Sequence, residues 1–211
     1  MNTTRLLGFF SNFDPARGFP SEVAAFLRAH LTQRDSLVFI TSNPAGHAKT
    51  DHYAAQQHGW FEAAGLPFTH YHAVDSRTSP AQAAQLVREA SCVYLMGGET
   101  GLQMQFLRDY GLVQPIRETH AAIMGLSAGA INMAARGVDP DDWPKVHECL
   151  GLANISVFPH FDPANQDELS TLQRISARFP IHAMQDESAI FVKNGQTTFI
   201  GEITKLGERF G

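Results

Sequence analysis

Residues 121–129 read Ala121-Ala122-Ile123-Met124-Gly125-Leu126-Ser127-Ala128-Gly129. Ala121 to Leu126 carry no charge, which marks a strand buried on both faces. That strand runs straight into Gly125-x-Ser127-x-Gly129, and a helix-compatible segment follows. A serine between two such glycines sits on a tight strand-to-helix turn, its hydroxyl lifted clear of the sheet. The glycines allow a strained backbone and close packing. The helix start favours negative charge nearby, and the Ala128 N–H can point toward a developing oxyanion. The plainer alternative is a serine that caps a helix beside packing glycines.

The same alternation extends along the chain in both directions. Apolar runs at 5–10, 36–41, 68–74 and 91–96 read as strands. Amphipathic stretches between them read as helices: Pro20-Ser21 to about Leu31, His52 to Ala64, Ser79-Pro80 to about Ala90, and Gly101 to Asp109. This order predicts an α/β fold, a doubly wound and mostly parallel sheet with helices on both faces. Beyond residue 150 the pattern changes. Residues 154–158 read as a strand, 167–179 as a helix, and 181–184, 189–193 and 197–200 as short strands. Asn194-Gly195 is a hairpin signal, so the tail is expected to finish the sheet as a β-hairpin. The longest irregular stretch is 137–146. No repeat or linker interrupts the 211 residues, and a single domain spanning 1–211 is expected.

Composition narrows the function classes. A net charge of -5 gives no footprint for nucleic acid or an anionic membrane. No run reaches the length of a membrane span. The N-terminal stretch lacks the charged start, long apolar core and small-residue cleavage site of a signal peptide. Two cysteines, Cys92 and Cys149, make no disulfide framework and read as reduced structural thiols. A cytoplasmic setting is the expectation, with a monomer or homodimer acting on a small peptide.

Three further segments fall at predicted strand ends, where ligands of parallel sheets bind. Met96-Gly97-Gly98-Glu99-Thr100 offers a Gly-Gly turn whose bare N–H groups can approach a carbonyl, with Gly98 as second oxyanion donor and Gly97, Glu99 and Thr100 nearby for substrate. Phe158-Pro159-His160-Phe161-Asp162 ends a strand at His160, singled out from ten histidines by that position. An imidazole there suits the general base a serine nucleophile needs. Gln185-Asp186-Glu187-Ser188 supplies a carboxylate to hold the imidazole tautomer. Adjacent acids on an extended segment point to opposite sides, so one faces the site; Asp186 is favoured, with Glu187 the alternative. His70 and His72 share a strand face without a third ligand, and no metal or other cofactor is expected. Asp139, Asp141 and Asp142 do not match a calcium loop. Arg5, Arg17 and Arg174 are undistinguished candidates for a substrate carboxylate.

Taken together, GLSAGA, MGGET, FPHFD and QDESAI resemble the dipeptidase E and cyanophycinase family of serine peptidases, whose fold is class I glutamine amidotransferase-like. The resemblance implies a serine nucleophile at Ser127, its histidine at His160 and oxyanion donors at Gly98 and Ala128. Its late acid, usually Glu in the family, falls on Asp186; an alternative acid falls on Asp142. The aspartyl dipeptidases carry a basic residue shortly before Gln-Arg-Ile. Here Thr171 and Leu172 precede Gln173-Arg174-Ile175, so preference for an N-terminal aspartate is not implied. The expected reaction is hydrolysis of small peptides through an acyl-enzyme. The competing expectations are a silent binding or regulatory protein on the same fold and a serine hydrolase acting on a non-peptide amide or ester. An α/β-hydrolase esterase would order its acid before its histidine. A glutamine amidotransferase would need cysteine at 127.

Overall fold

The computed structural model describes residues 5–139 and 145–207. In chain order its elements are β1 (Leu7–Phe10), α1 (Ser21–His30), β2 (Ser36–Ile40), α2 (His47–Ala63), β3 (His70–Val74), α3 (Pro80–Glu89), β4 (Cys92–Leu95), α4 (Thr100–Asp109), α5 (Val113–Glu118) and β5 (Ala122–Leu126). There follow α6 (Ala128–Met133), β6 (Arg136–Val138), β7 (Val146–Glu148), β8 (Val157–Phe158), α7 (Gln166–Ser176), β9 (Ile181–Met184), β10 (Ala189–Lys193), β11 (Gln196–Ile200) and β12 (Ile203–Leu206).

Seven strands form the main sheet in the order β11-β10-β1-β5-β4-β2-β3. The five from β1 to β3 are parallel, and β10 and β11 add antiparallel strands at one side. Successive side chains of a strand point to opposite faces. Accordingly Leu37 and Phe39 of β2 enter one core with Tyr94, Met124 and Phe191, while Val38 and Ile40 enter the other with Val93, Leu95 and Ile123. Both faces of β1, β2, β4 and β5 are covered, which is why these four strands read as apolar runs, whereas the edge strand β3 leaves His70, Tyr71 and His72 exposed. A third cluster packs Leu172 and Ile175 of α7 against Ile181 and Ala183 of β9.

The β10–β11 hairpin turns through Asn194 (φ 53°) and Gly195 (φ 75°), the left-handed pair that a tight hairpin requires. The tail also holds a second sheet, β12-β9-β8, that the sequence pattern did not announce, and of the expected 154–158 strand only Val157–Phe158 is a strand. α2 starts at His47, earlier than the expected His52, because the Gly46 carbonyl already accepts from the Thr50 N–H. The short α5 carries no periodic signal of its own. Arg5 closes its C-terminal end by donating from Nη1 to the carbonyls of Ile116 and Thr119 at 3.0 and 3.1 Å.

The elbow glycines are fixed by sterics. A Cβ on Gly125 would lie 2.5 Å from the Gly129 carbonyl, and one on Gly129 would lie 2.1 Å from the Leu95 oxygen. α6 therefore lies directly on the ends of β4 and β5. Backbone cannot yield cheaply here, so Gly129→Ala is expected to cost about 3 kcal/mol or more. In a thermal melt that is a fall of at least about 6 °C. Gly101→Ala, with nothing within 4 Å of its Cβ, is the control and is expected not to lower the melting temperature.

Both cysteines are free and buried. Burial pushes the Cys92 thiol far up and Cys149 up to about 12. Neither is expected to react with a thiol reagent at neutral pH in the native protein, whereas both should react after denaturation; a fast-reacting native thiol would contradict this burial.

Candidate active site

The C-terminal ends of the parallel strands form the functional rim. Ser127 follows β5 directly and donates its backbone N–H to the Phe10 carbonyl at the end of β1 (2.9 Å). Its backbone is held at φ 49°, ψ -111°, a conformation that non-glycine residues rarely adopt. The turn presents the hydroxyl, and Ser127 Oγ lies 2.7 Å from His160 Nε2.

His160 leaves β8 with its own positive φ of 58°. Its other ring nitrogen, Nδ1, lies 2.9 Å from Asp186 Oδ1. The His160 N–H donates to Ser11 Oγ at 2.8 Å, and that hydroxyl sits 3.1 Å from the Met184 carbonyl and 3.4 Å from Asp186 Oδ1. Asn12 Nδ2 donates to Asp186 Oδ2 at 3.3 Å. One polar pair at the end of β1 thus locates both imidazole and carboxylate. The two side chains are 43% and 51% exposed, so water screens their attraction and the bond's main effect is orientation.

Glu187 turns the other way. It accepts from the Asp14 N–H at 2.7 Å, and Arg17 lies 3.8 Å from it. Asp14 is itself held below the usual carboxylate range by the backbone N–H groups of Ala16 and Arg17. Asp142 lies outside the described residues. Of the candidate acids, the structure therefore brings Asp186 to His160 and sets Glu187 on the neighbouring loop.

Gly97 and Gly98 border Ser127: a Cβ on Gly97 would lie 3.5 Å from the Ser127 Cβ. Gly98 has φ 127°, and a Cβ there would strike the Ser42 hydroxyl, which donates to the Gly97 carbonyl. Ala128 is the first residue of α6, so its N–H has no partner within the helix. Beneath these loops lies a buried amide pair. Asn132 Nδ2 donates to the Thr100 carbonyl and to Gln103 Oε1, both at 3.0 Å, and Gln103 Nε2 donates to the Met96 carbonyl at 2.9 Å. α4 and α6 are thereby fixed in position relative to the Gly97-Gly98 turn.

A cavity of about 410 Å³ opens beside Ser127, with Gly97, Gly98, Thr100 and His160 in its wall. Glu99 is exposed and does not line it. Neither does any of the candidate arginines: Arg5 serves α5, Arg17 pairs with Asp14, and Arg174 donates to Thr171. Among the described residues no three His, Cys, Asp or Glu side chains gather as a metal site, and no helix is long and apolar enough to cross a membrane.

Sequence reading passed over Ser11, Asn12, Gln103 and Asn132. Ser11 was within reach of the rule that selected Ser127 and His160, since it is the first polar residue after an apolar strand. The amide pair left no signal, because a buried Gln or Asn looks like any other helical polar residue until its partners are placed.

The doubly wound sheet, with its serine elbow ending the central strand, has the class I glutamine amidotransferase-like fold. The model of peptidase family S51 matches residues 16–200, and the chain belongs to that family. Among solved structures it is similar to a peptidase from an acI-B1 actinobacterium, with TM-score 0.74 and 15% identity, covering 97% of this chain and 94% of that one. It is also similar to a protein assigned provisionally as peptidase E from Listeria monocytogenes EGD-e, with TM-score 0.68 and 18% identity, covering 93% and 98%. At these identities the likeness is one of fold. No curated protein matched in a sequence search.

Proposed function

We propose that this protein is a serine peptidase that hydrolyses small peptides through Ser127, His160 and Asp186. The observation that carries this reading is the unbroken chain of short contacts, 2.7 Å from hydroxyl to imidazole and 2.9 Å from imidazole to carboxylate. His160 Nε2 takes the Ser127 proton as Oγ attacks the scissile carbonyl, and Nδ1–H donates to Asp186, which holds the tautomer that leaves Nε2 free to accept. The N–H groups of Gly98 and Ala128 receive the oxyanion. His160 then protonates the departing amine, and water attacks the acyl-enzyme by the reverse proton route. The narrow wall of Gly97, Gly98 and Thr100 suits an extended peptide backbone. Membership of a peptidase family supports amide rather than ester chemistry.

The test is labelling with a fluorophosphonate followed by peptide mapping. Modification confined to Ser127, together with cleavage in a dipeptide library, is the expected result. An unlabelled protein that cleaves no peptide would favour the silent binding protein instead.

A further inference from the structure

Ser42 has no part in the Ser127–His160–Asp186 relay, yet it touches the turn that borders the nucleophile. It follows β2 by two residues and is buried. Its Oγ donates to the Gly97 carbonyl, and the side chain does not line the cavity beside Ser127. The spacing of the two segments is already set without it. The Met96 N–H donates to the Ile40 carbonyl at 3.0 Å, and Gln103 Nε2 donates to the carbonyls of Ile40 and Met96 at 3.2 and 2.9 Å. These bonds tie the end of β2 to the end of β4. What the Ser42 hydroxyl adds is the rotation of one peptide plane.

That plane joins Gly97 to Gly98. In a trans peptide unit the C=O and the N–H point in opposite directions. The strand order runs β5-β4-β2, so the turn after β4 stands between Ser127, which follows β5, and Ser42, which follows β2. A carbonyl drawn to Ser42 therefore turns the Gly98 N–H back toward the side of Ser127. Gly98 lines the cavity together with Ser127, and its N–H donates to no described residue. The contact also needs glycine at 98, because a Cβ there would lie 2.2 Å from Ser42 Oγ. A glycine pair restrains its own backbone weakly, so without the hydroxyl this plane is free to turn.

We propose that Ser42 is a positioning residue for acyl transfer: by holding the Gly97 carbonyl, it aims the Gly98 N–H at the oxyanion. This rests on Ser127 as the nucleophile.

The test reads the rate at which a fluorophosphonate labels Ser127 across a range of pH. In that reaction Ser127 Oγ bonds to phosphorus, fluoride leaves, and the serine proton passes to His160. The phosphoryl oxygen takes the place of the oxyanion. Ser42→Ala is expected to lower the plateau rate by about 10–100-fold, somewhat less than outright loss of an oxyanion donor. The midpoint of the pH profile is expected to stay where it is, because the contacts of His160 with Ser127 and Asp186 are untouched. Ser42→Thr keeps the hydroxyl and should label within about threefold of the parent. Should Ser42→Ala fail to give a cooperative melt, Ser42→Cys, whose thiol is a weak donor, takes its place with the same expected fall. Labelling of the alanine variant as fast as the parent, a displaced midpoint, or a folded Ser42→Thr as slow as Ser42→Ala would each overturn the positioning role. A parent that labels at Ser127 while Ser42→Ala matches it sinks only Ser42. A parent that does not label at Ser127 sinks the nucleophile, and the positioning role with it.

Discussion

Ser127→Ala is expected to lower kcat on any peptide the parent cleaves by about 10⁶-fold, leaving the fold intact. The magnitude is that seen when a serine nucleophile is removed from a relay acting as a unit. What survives would come from the oxyanion donors and from binding, which together still exceed the rate in water by 10³–10⁴. Alanine keeps the Cβ and the Ser127 N–H to Phe10 bond, and it occupies the same strained backbone as serine. The melting temperature should therefore move by no more than a few degrees. Turnover within tenfold of the parent, in protein shown to be folded, would remove Ser127 from the chemistry.

Asp186→Asn is expected to reduce kcat by 10³–10⁴-fold, because an amide can donate to His160 Nδ1 and so favour the tautomer with its proton on Nε2. That tautomer cannot accept from Ser127. The effect should fall on kcat more than on KM, since Asp186 does not line the cavity. Glu187→Gln provides the contrast. Its carboxylate accepts from the Asp14 N–H and not from His160, so the change should stay within about tenfold. If Glu187→Gln proved the more damaging, the acid of the relay would have to be reassigned.

How far the sequence foretold this molecule depends on the range of the interactions involved. Four of the five parallel strands, β1, β2, β4 and β5, were legible because each is buried on both faces, and an apolar run such as Leu37 to Ile40 needs no distant partner to be read. The Asn194-Gly195 hairpin was legible for the same local reason. β9 was legible as a strand but not its sheet, because Ile181 to Met184 looks the same in either, and its pairing with β12 and β8 is decided by long-range register. α5 was missed because it lasts less than two turns and is finished by Arg5, more than a hundred residues away. At the site, Ser127 and His160 stood out by strand-end position. The choice between Asp186 and Glu187 turns on one φ of 65° at Glu187, which adjacent acids in a sequence do not disclose.

Ser127, His160 and Glu187 all hold left-handed backbone along one edge of the molecule, and each such residue costs on the order of 1–3 kcal/mol. The rim is thus a sprung assembly clamped by the packed sheet beneath it. Heat, denaturant or a distant packing defect that slackens the clamp lets this edge relax before the core gives way. Peptide cleavage should accordingly be extinguished while helical content is still near its native level, and catalytic lifetime rather than overall foldedness would mark the limit of the protein's working range.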